Sequence, residues 1–180
     1  ADPSVLCRTL YRHLLYYIVG GGRAILLALH RRFCRKRAGA WCDPGIYRLS
    51  KCCLGAAGLA TGHAALFADE PKVFCSIADL DGEVVGMAIW FLNFSTWQGK
   101  HGVYLEDLYI KPEFRGNSYG LAMLKHLAAI CNERGYGRFQ WWVLDWNTPA
   151  IEFYKSQGAV AMDEWTVYRV SGDALKKLGS

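Results

Sequence analysis

From residue 66 onward, the pattern of apolar and polar residues predicts strands and helices in alternation. Val73 to Leu80 alternates with a period of two, and Glu83 to Phe94 is almost continuously apolar, as strands buried on one face and on both faces are. Asp81-Gly82 between them is a strong hairpin signal. Gly86 indicates a bulge in the second strand. These residues predict an antiparallel pair.

The remainder of the chain continues this series. Val103 to Lys111 predicts a third strand, which Pro112 ends because proline has no N–H for the ladder. Leucines at helical spacing predict a helix from about Ser118 to Arg134, closed by Gly135 as a C-terminal cap. The later predicted elements are a strand (Arg138 to Asp145), a helix (Asn147 to about Gly158), two strands (Ala159 to Met162 and Trp165 to Val170) and a helix (Asp173 to Leu178). This order predicts a mixed α/β sheet.

Charge and cysteine are unevenly spread and divide the chain near residue 65. The net charge is +5, but residues 1–65 hold ten Lys/Arg and two Asp/Glu, a net charge of +8, whereas residues 66–180 have a net charge of −3. Five of the seven cysteines also precede residue 66. No Cys/His set has zinc spacing, so we predict no metal site. We predict a basic, Cys-rich segment over residues 1–65 and a mildly acidic domain over residues 66–180, which suits a cationic ligand.

The basic segment leaves three interpretations open. Residues 5–42 contain no acid and include the cluster Arg31 to Arg37. The segment could be an Arg-rich targeting sequence of the mitochondrial type, a basic helix that contacts nucleic acid or membrane, or an out-of-frame translation that joins the reading frame near His63. Its longest apolar stretch, Leu14 to Leu29, is interrupted by three glycines and Arg23, so we predict no transmembrane helix.

Chemistry is concentrated around the stretch Val103 to Gly120. Arg115 to Gly120 (Arg-Gly-Asn-Ser-Tyr-Gly) is a loop that feeds a helix N-terminus, an arrangement that exposes backbone N–H groups and binds phosphate or pyrophosphate. An ordinary turn before a helix is the alternative. Glu106 and Asp107 lie on the preceding strand, where a regular strand would send them to opposite faces and a bulge would re-aim one of them.

These motifs resemble the GNAT family of acetyl-CoA-dependent N-acetyltransferases, and within it the diamine acetyltransferase group. Arg115 to Gly120 lies on the family's R/Q-x-x-G-x-G/A loop, except that Ser118 stands where the pattern has its middle glycine. Ser95 to Lys100, Tyr104 to Tyr109 and Val143 to Asn147 add support. The resemblance covers about residues 66–178. It implies a mostly antiparallel sheet flanked by helices, with acetyl-CoA in a splayed strand pair. The family also places a first strand and a helical pair before residue 66, a pattern that residues 1–65 do not show.

The resemblance implies a role for each candidate residue. Tyr154 would be the general acid and Glu106 the base, with an oxyanion donor freed by a bulge near Leu108 to Ile110. Trp97 and Asp107, together with Glu106, would contact the amine substrate. The implied contacts to acetyl-CoA are Leu108, Tyr109, Ile110, Arg115, Gly116, Asn117, Ser118, Tyr119, Gly120, Asn147, Ala150 and Tyr154.

The expected function is acetyl transfer from acetyl-CoA to a small primary amine, such as thialysine, a lysine-like amino acid or a diamine, by direct attack in a ternary complex. Acetylation of a protein lysine or N-terminus is one alternative, and a non-catalytic acyl-CoA-binding module is another. The family implies a homodimer. We expect a cytoplasmic protein, or a mitochondrial one if the basic segment is a transit peptide, with no membrane association and no nucleic acid bound by residues 66–180.

Overall fold

A single sheet of six strands organises the fold. The computed structural model describes residues 15–19, 23–29, 65–66, 70–81 and 83–180, the first two ranges by their backbone only. The strands follow one another across the sheet in chain order. They are β1 (Leu15–Val19), β2 (Arg23–Leu29), β3 (Val73–Leu80), β4 (Glu83–Ser95), β5 (Lys100–Ile110) and β6 (Arg138–Trp141).

Residues 65–66 are helical, and within residues 70–180 the helices come after β5. They are a 3-10 turn (Pro112–Phe114), α1 (Tyr119–Glu133), α2 (Thr148–Ser156) and α3 (Gly172–Leu178). The predicted bounds of all three helices are confirmed to within two residues. Gly135 closes α1 with a positive φ of 66°, and Tyr136 donates its N–H to the carbonyl of Cys131, so the predicted glycine cap is also confirmed. No described helix is long and apolar enough to cross a membrane.

All strand pairs are antiparallel except β5–β6, which is parallel. The predicted mixed, mostly antiparallel sheet is therefore confirmed. The hairpin of β3 and β4 changes register between Ala78 and Asp79, so that Val85 is an extra residue beside Gly86. This is the bulge that Gly86 indicated. Gly86 also lets the strands approach closely, because a Cβ there would lie 2.8 Å from the Tyr109 carbonyl oxygen.

The hairpin of β1 and β2 corrects the interpretation of the basic segment as lacking a strand. β2 pairs with β3, so this hairpin extends the sheet at one end. The signal was present in the sequence, since both stretches are apolar and β-forming and Gly20-Gly21-Gly22 stands between them. The other predictions for residues 1–65 fall largely outside the described residues.

The sheet is buried on both faces at its centre. On one face Ile77, Val84, Met87 and Ile89 form an apolar cluster against which Val73, Cys75 and Tyr109 pack. On the other face α1 covers the strands, and the imidazole of His126 lies 3.2 Å from the hydroxyl of Ser76. Burial on both faces explains why β4 is almost continuously apolar.

Residues 143–180 form a second compact unit, distinct from residues 1–142. It contains α2 and α3, but the predicted strands Ala159 to Met162 and Trp165 to Val170 are wrong, since this stretch has no strand and its larger apolar side chains are exposed. Strand propensity depends on packing and pairing with a neighbouring strand, and none of the described strands pairs with this stretch. Similarly, β6 ends at Trp141 rather than at Asp145, because its last pair with β5 is Leu105 with Trp141.

Candidate active site

The two candidate acids lie at a bulge in β5. Ile89 pairs with Asp107 while the next residue, Trp90, pairs with Leu105, so Glu106 has no partner on β4. The prediction of a bulge near Leu108 to Ile110 was wrong, because that range keeps a regular register with β4. The bulge lies at Glu106 instead, where it breaks the strict alternation of the two acids and re-aims a side chain.

The two carboxyl groups influence each other electrostatically. Asp107 is half-buried and lies opposite Ile89, on the face of the sheet that carries the Met87 and Tyr109 side chains. Burial, and next the negative charge of Glu106, raise the pKa of the Asp107 carboxyl above its usual value of 3.8. Glu106 is exposed. Neighbouring carboxyl groups in different environments suit proton transfer and the binding of a cation.

The strand pair β5–β6 opens directly after the bulge. The pairing runs from Gly102 with Arg138 to Leu105 with Trp141, and β5 then continues for five residues to Ile110. Over those residues β5 does not pair with β6. The backbone N–H and C=O groups on this edge of β5, from Glu106 to Ile110, therefore make no hydrogen bonds to β6. This open edge of β5, beyond the end of β6 at Trp141, is where the resemblance implies a splayed strand pair.

The loop Arg115 to Gly120 follows β5 and is held by its own polar side chains. Arg115 donates from Nε to the carbonyl of Ile110 at 3.0 Å, and its guanidinium carbon lies 5.9 Å from the centre of the Tyr109 ring. The Asn117 amide donates to the carbonyls of Phe114 and Arg115, each at 3.2 Å. The loop is therefore anchored to the end of β5, with residues 115–118 exposed.

Ser118 has the backbone conformation that its place in the motif demands. Its φ is +61° and its ψ is 14°, which is left-handed, and it is the N-cap of α1 without a side-chain capping bond. Gly116 likewise has a φ of +81°. The position of the middle glycine thus requires positive φ, and a serine there is strained by about 1 kcal/mol relative to glycine.

These features fit the pyrophosphate and the thioester arm of acetyl-CoA. The first turn of α1 has no acidic residue and no side-chain cap, so its N–H groups and the positive end of the helix dipole are available to an anion. A Cβ at Gly120 would come no closer than 4.0 Å to Ile110, so the start of the helix is open. The open edge of β5, Glu106 to Ile110, leads directly to the loop.

The other predicted cofactor contacts lie in the second unit. Asn147 is the N-cap of α2, and its side-chain oxygen accepts a hydrogen bond from the N–H of Ala150 at 3.4 Å. Tyr154 lies two turns further along α2, so it shares a helix face with Asn147. The sequence-predicted pairing of these two residues on one helix is confirmed, whereas their contacts with acetyl-CoA stay a prediction.

The environment of Tyr154 makes it a weaker acid. The side chain is half-buried, and burial raises the pKa of its hydroxyl above the usual value of 10.0. A tyrosine that protonates a thiolate needs a lowered pKa or a partial transfer of its proton. The role of Tyr154 as the general acid stays a prediction.

Trp97 lies at the opposite end of β5 from the loop. It stands in the turn between β4 and β5 and is 97% exposed. Six residues of strand separate Lys100 from Glu106, a length of about 20 Å. Trp97 and the acid pair are therefore not neighbours in this structure. Ser95 is buried beside this turn, where its hydroxyl accepts a hydrogen bond from the N–H of Gln98.

Sequence reasoning missed two aromatic residues near the acid pair. Tyr104 precedes Glu106 on β5, and Trp142 follows directly after β6. Their ring centres lie 5.6 Å apart at 87°. The signal was the alternation of β5 and β6, which puts both residues on one face once the register is known.

Among the described residues, no group of three or more His, Cys, Asp or Glu side chains could hold a metal ion. The acids at the bulge are only two, and Cys75 and Cys131 stand on different elements, each with its thiol against a backbone carbonyl. We assign no metal ligands within this part of the chain.

Comparison with known proteins identifies the class. The acetyltransferase (GNAT) family profile matches residues 44–159. The chain belongs to the GNAT acetyltransferase family and is an acyltransferase. The match begins upstream of residue 66, and the domain boundary that we place there stays a prediction.

Named relatives and solved structures agree with this class. Thialysine N-epsilon-acetyltransferase of Bos taurus is 35% identical over 123 residues, covering 62% of this chain and 72% of that protein. L-ornithine N5-acetyltransferase NATA1 of Arabidopsis thaliana is 33% identical over 123 residues, covering 62% and 54%. The integron cassette protein VCH_CASS6 of V. cholerae superposes with a TM-score of 0.63 at 28% identity, covering 73% and 85%.

Proposed function

We propose that this protein transfers acetyl from acetyl-CoA to the primary amine of a small substrate, namely thialysine, a lysine-like amino acid or a diamine. The observation that carries the proposal is the bulge, which lies at the start of the open edge of β5, directly after the last pair of β5 with β6. The relatives named for thialysine and L-ornithine acetylation support a small amine. Family membership supports the acetyl donor.

The acid pair would bind the protonated amine and then take its proton. A lysine-like amine has a pKa of about 10.4, so its neutral, nucleophilic form is only about one part in a thousand at pH 7. Glu106 is the exposed member of the pair and can reach a substrate from solvent. Asp107 adds negative charge from a half-buried position. We assign Glu106 as the base, directly or through one water.

The loop and the opened edge of β5 would hold the acetyl donor. Bound acetyl-CoA supplies the thioester carbonyl. The N–H groups at the start of α1 would bind the pyrophosphate, with Arg115 and Asn117 fixing the loop in shape. The backbone N–H groups of Leu108 to Ile110 on the opened edge are candidates to donate to the carbonyl oxygen, as preorganised donors do. The resemblance assigns Asn147 and Ala150 on α2 to contacts with the donor and Tyr154 to protonation of the departing thiolate, and these roles stay predictions.

An amine panel tests the substrate class. The full chain is assayed with acetyl-CoA and thialysine, lysine, ornithine, a short diamine, and a peptide that carries a lysine and a free N-terminus. We expect turnover with one or more of the small amines and a kcat/KM for the peptide at least tenfold lower. Turnover of the peptide alone would refute the small-amine proposal and favour protein acetylation.

Two variants test the assigned roles. Glu106→Gln keeps the shape of the side chain but removes the base, and we expect kcat to fall about a hundredfold with the KM for acetyl-CoA unchanged. Tyr154→Phe should retain acetyl-CoA binding while turnover falls. If the wild-type chain binds acetyl-CoA but acetylates none of the amines, the protein is a binding module. A homodimer and a cytoplasmic location stay predictions from the resemblance.

A further inference from the structure

A cluster of polar side chains crosses three strands of the sheet. Gly102 on β5 pairs with Asn93 on β4 and with Arg138 on β6. The Arg138 side chain extends over Gly102 to reach β4. Its Nε donates to Oδ1 of Asn93 at 3.2 Å, and its Nη2 donates to the carbonyl of Phe94 at 3.1 Å. A Cβ at Gly102 would lie 2.6 Å from both Cγ of Arg138 and Oδ1 of Asn93, so glycine is what lets the arginine cross the strand.

The hydrogen bonds within this cluster leave only donors unused at Arg138 and Gln140. A guanidinium has donors and no acceptor, so the Asn93 atom that faces Arg138 is the oxygen. Nδ2 of Asn93 therefore donates to Oε1 of Gln140, at 3.2 Å. Nη1 of Arg138 and Nε2 of Gln140 make no hydrogen bond to the described residues. Unused donors side by side are what an anion site requires.

Arg138 carries a positive charge that no described carboxylate neutralises. The side chain is half-buried, and none of the ion pairs among the described residues includes it. Charged side chains are seldom buried without a partner. Because the planar fork of a guanidinium matches the two oxygens of a carboxylate, the cluster fits a ligand that brings a carboxylate of its own.

The cluster shares a face of the sheet with Asp107. Ile89, Phe91 and Asn93 alternate along β4 and therefore lie on one face, and Asp107 lies opposite Ile89. Four residues of strand separate the level of Asn93 from that of Asp107, a length of about 13 Å. A lysine-like amino acid spans about 7 Å from its carboxylate carbon to its side-chain nitrogen. A hydrogen bond of about 3 Å at each end completes the distance.

We propose that Arg138 and Gln140 bind the α-carboxylate of an amino-acid substrate whose side-chain amine reaches Glu106 and Asp107, and that Arg138 thereby sets a preference for lysine-like amino acids over diamines. The inference rests on the proposed function, whose substrate class it narrows.

The two ends of the proposed site have opposite charge, as the two ends of such a substrate do. A carboxylate accepts charge-assisted hydrogen bonds from the guanidinium of Arg138, whereas Arg138 repels the second ammonium group of a diamine. The acid pair attracts the amine of either ligand. The cluster at Arg138 therefore distinguishes two substrates that Glu106 and Asp107 alone would bind alike.

Calorimetry with a matched pair of ligands tests the inference without turnover. Lysine and cadaverine, the diamine that lacks only the carboxylate of lysine, are titrated into the full chain in the presence of CoA, which has no acetyl group to transfer. We expect the wild type to bind lysine more tightly than cadaverine. Arg138→Gln should weaken the binding of lysine about tenfold and should not weaken that of cadaverine. Arg134→Gln makes the same substitution at an exposed arginine and should change neither affinity.

The carboxylate can also be changed on the ligand, which needs no variant and so remains informative if Arg138→Gln does not fold. Lysinamide keeps the shape of lysine without its negative charge, and the wild type should bind it about tenfold more weakly than lysine. Equal affinity of the wild type for lysine and lysinamide would overturn the inference. Equal losses for lysine and cadaverine in Arg138→Gln would also overturn it, because Arg138 would then only hold the strands together.

These binding results do not depend on acetyl transfer. A chain that shows the predicted preference for lysine but acetylates no amine would support the carboxylate site and contradict the proposed function alone. A chain that acetylates cadaverine and lysine equally well, with no effect of Arg138→Gln on the KM for lysine, would support the proposed function and contradict this inference.

Discussion

Acid should destabilise this protein through one buried histidine. His126 is 1% exposed and lies between α1 and the sheet. Ser76 is its hydrogen-bond partner, and the Trp90 indole N–H donates to the same hydroxyl at 3.1 Å. Nδ1 of His126 is buried and makes no hydrogen bond to the described residues. Both nitrogens of a charged imidazole carry an N–H and need a hydrogen-bond acceptor, so this site favours the neutral form of His126.

The size of the effect follows from the pKa of His126. Burial lowers that pKa from 6.5 to about 4, so between these values the unfolded chain binds a proton that the folded chain does not. The free energy of unfolding therefore falls as the pH drops below 6.5 and stops falling below about pH 4. The full loss is about 3 kcal/mol, of which about 2 kcal/mol is expected between pH 7 and pH 5.

Urea unfolding at pH 7, 6 and 5 measures this loss. The His126→Gln variant isolates it, because glutamine does not titrate, and that variant should lose about 2 kcal/mol less than the wild type between pH 7 and pH 5. His101→Gln, which replaces an exposed imidazole, should keep the pH dependence of the wild type. Equal pH dependence in the wild type and His126→Gln would refute the reasoning.

Substitutions to and from glycine give further predictions. Ser118→Gly removes a non-glycine residue from φ +61° and should raise the free energy of unfolding by about 0.5–1 kcal/mol, once the greater entropy of glycine in the unfolded chain is counted. A thermal melt should show this gain, with a shift on adding acetyl-CoA at least as large as in the wild type, and a less stable variant would contradict the prediction. Gly86→Ala should lower the free energy of unfolding in urea by about 1–3 kcal/mol, because the added Cβ would lie 2.8 Å from the Tyr109 carbonyl oxygen. Gly120→Ala is the control and should lower it far less, because the nearest atom to its Cβ is 4.0 Å away. Equal losses in the two variants would argue against crowding at β4.

Much of the sheet and the site was predictable from short-range pattern. The bounds of β3 agree with the alternation of Val73 to Leu80, because a half-buried strand has apolar residues on one face and polar residues on the other, so the two alternate in the sequence. The spacing of the leucines predicts α1 in the same way, and Gly135 after the last turn predicts its cap. The loop Arg115 to Gly120 is recognisable in the sequence because its small residues immediately precede this helix.

The remainder depends on contacts between segments that are distant in sequence. The bulge at Glu106 is a relation between β5 and β4, and no local signal places it there rather than at Leu108 to Ile110. The stretch Trp165 to Val170 alternates like a strand, yet whether it forms one depends on a neighbour that pairs with it. The aromatic pair Tyr104 and Trp142 required the parallel register of β5 and β6.

The most direct test follows a labelled acetyl group. The full chain is mixed with radiolabelled acetyl-CoA, first alone and then with thialysine, lysine or a short diamine, and the label is located by intact protein mass and by separation of the small molecules. Direct attack by the amine, with Glu106 as the base, predicts no label on the protein and acetylated amine only when both substrates are present. Label retained on the protein without amine, or no acetylated amine under any condition, would contradict the account.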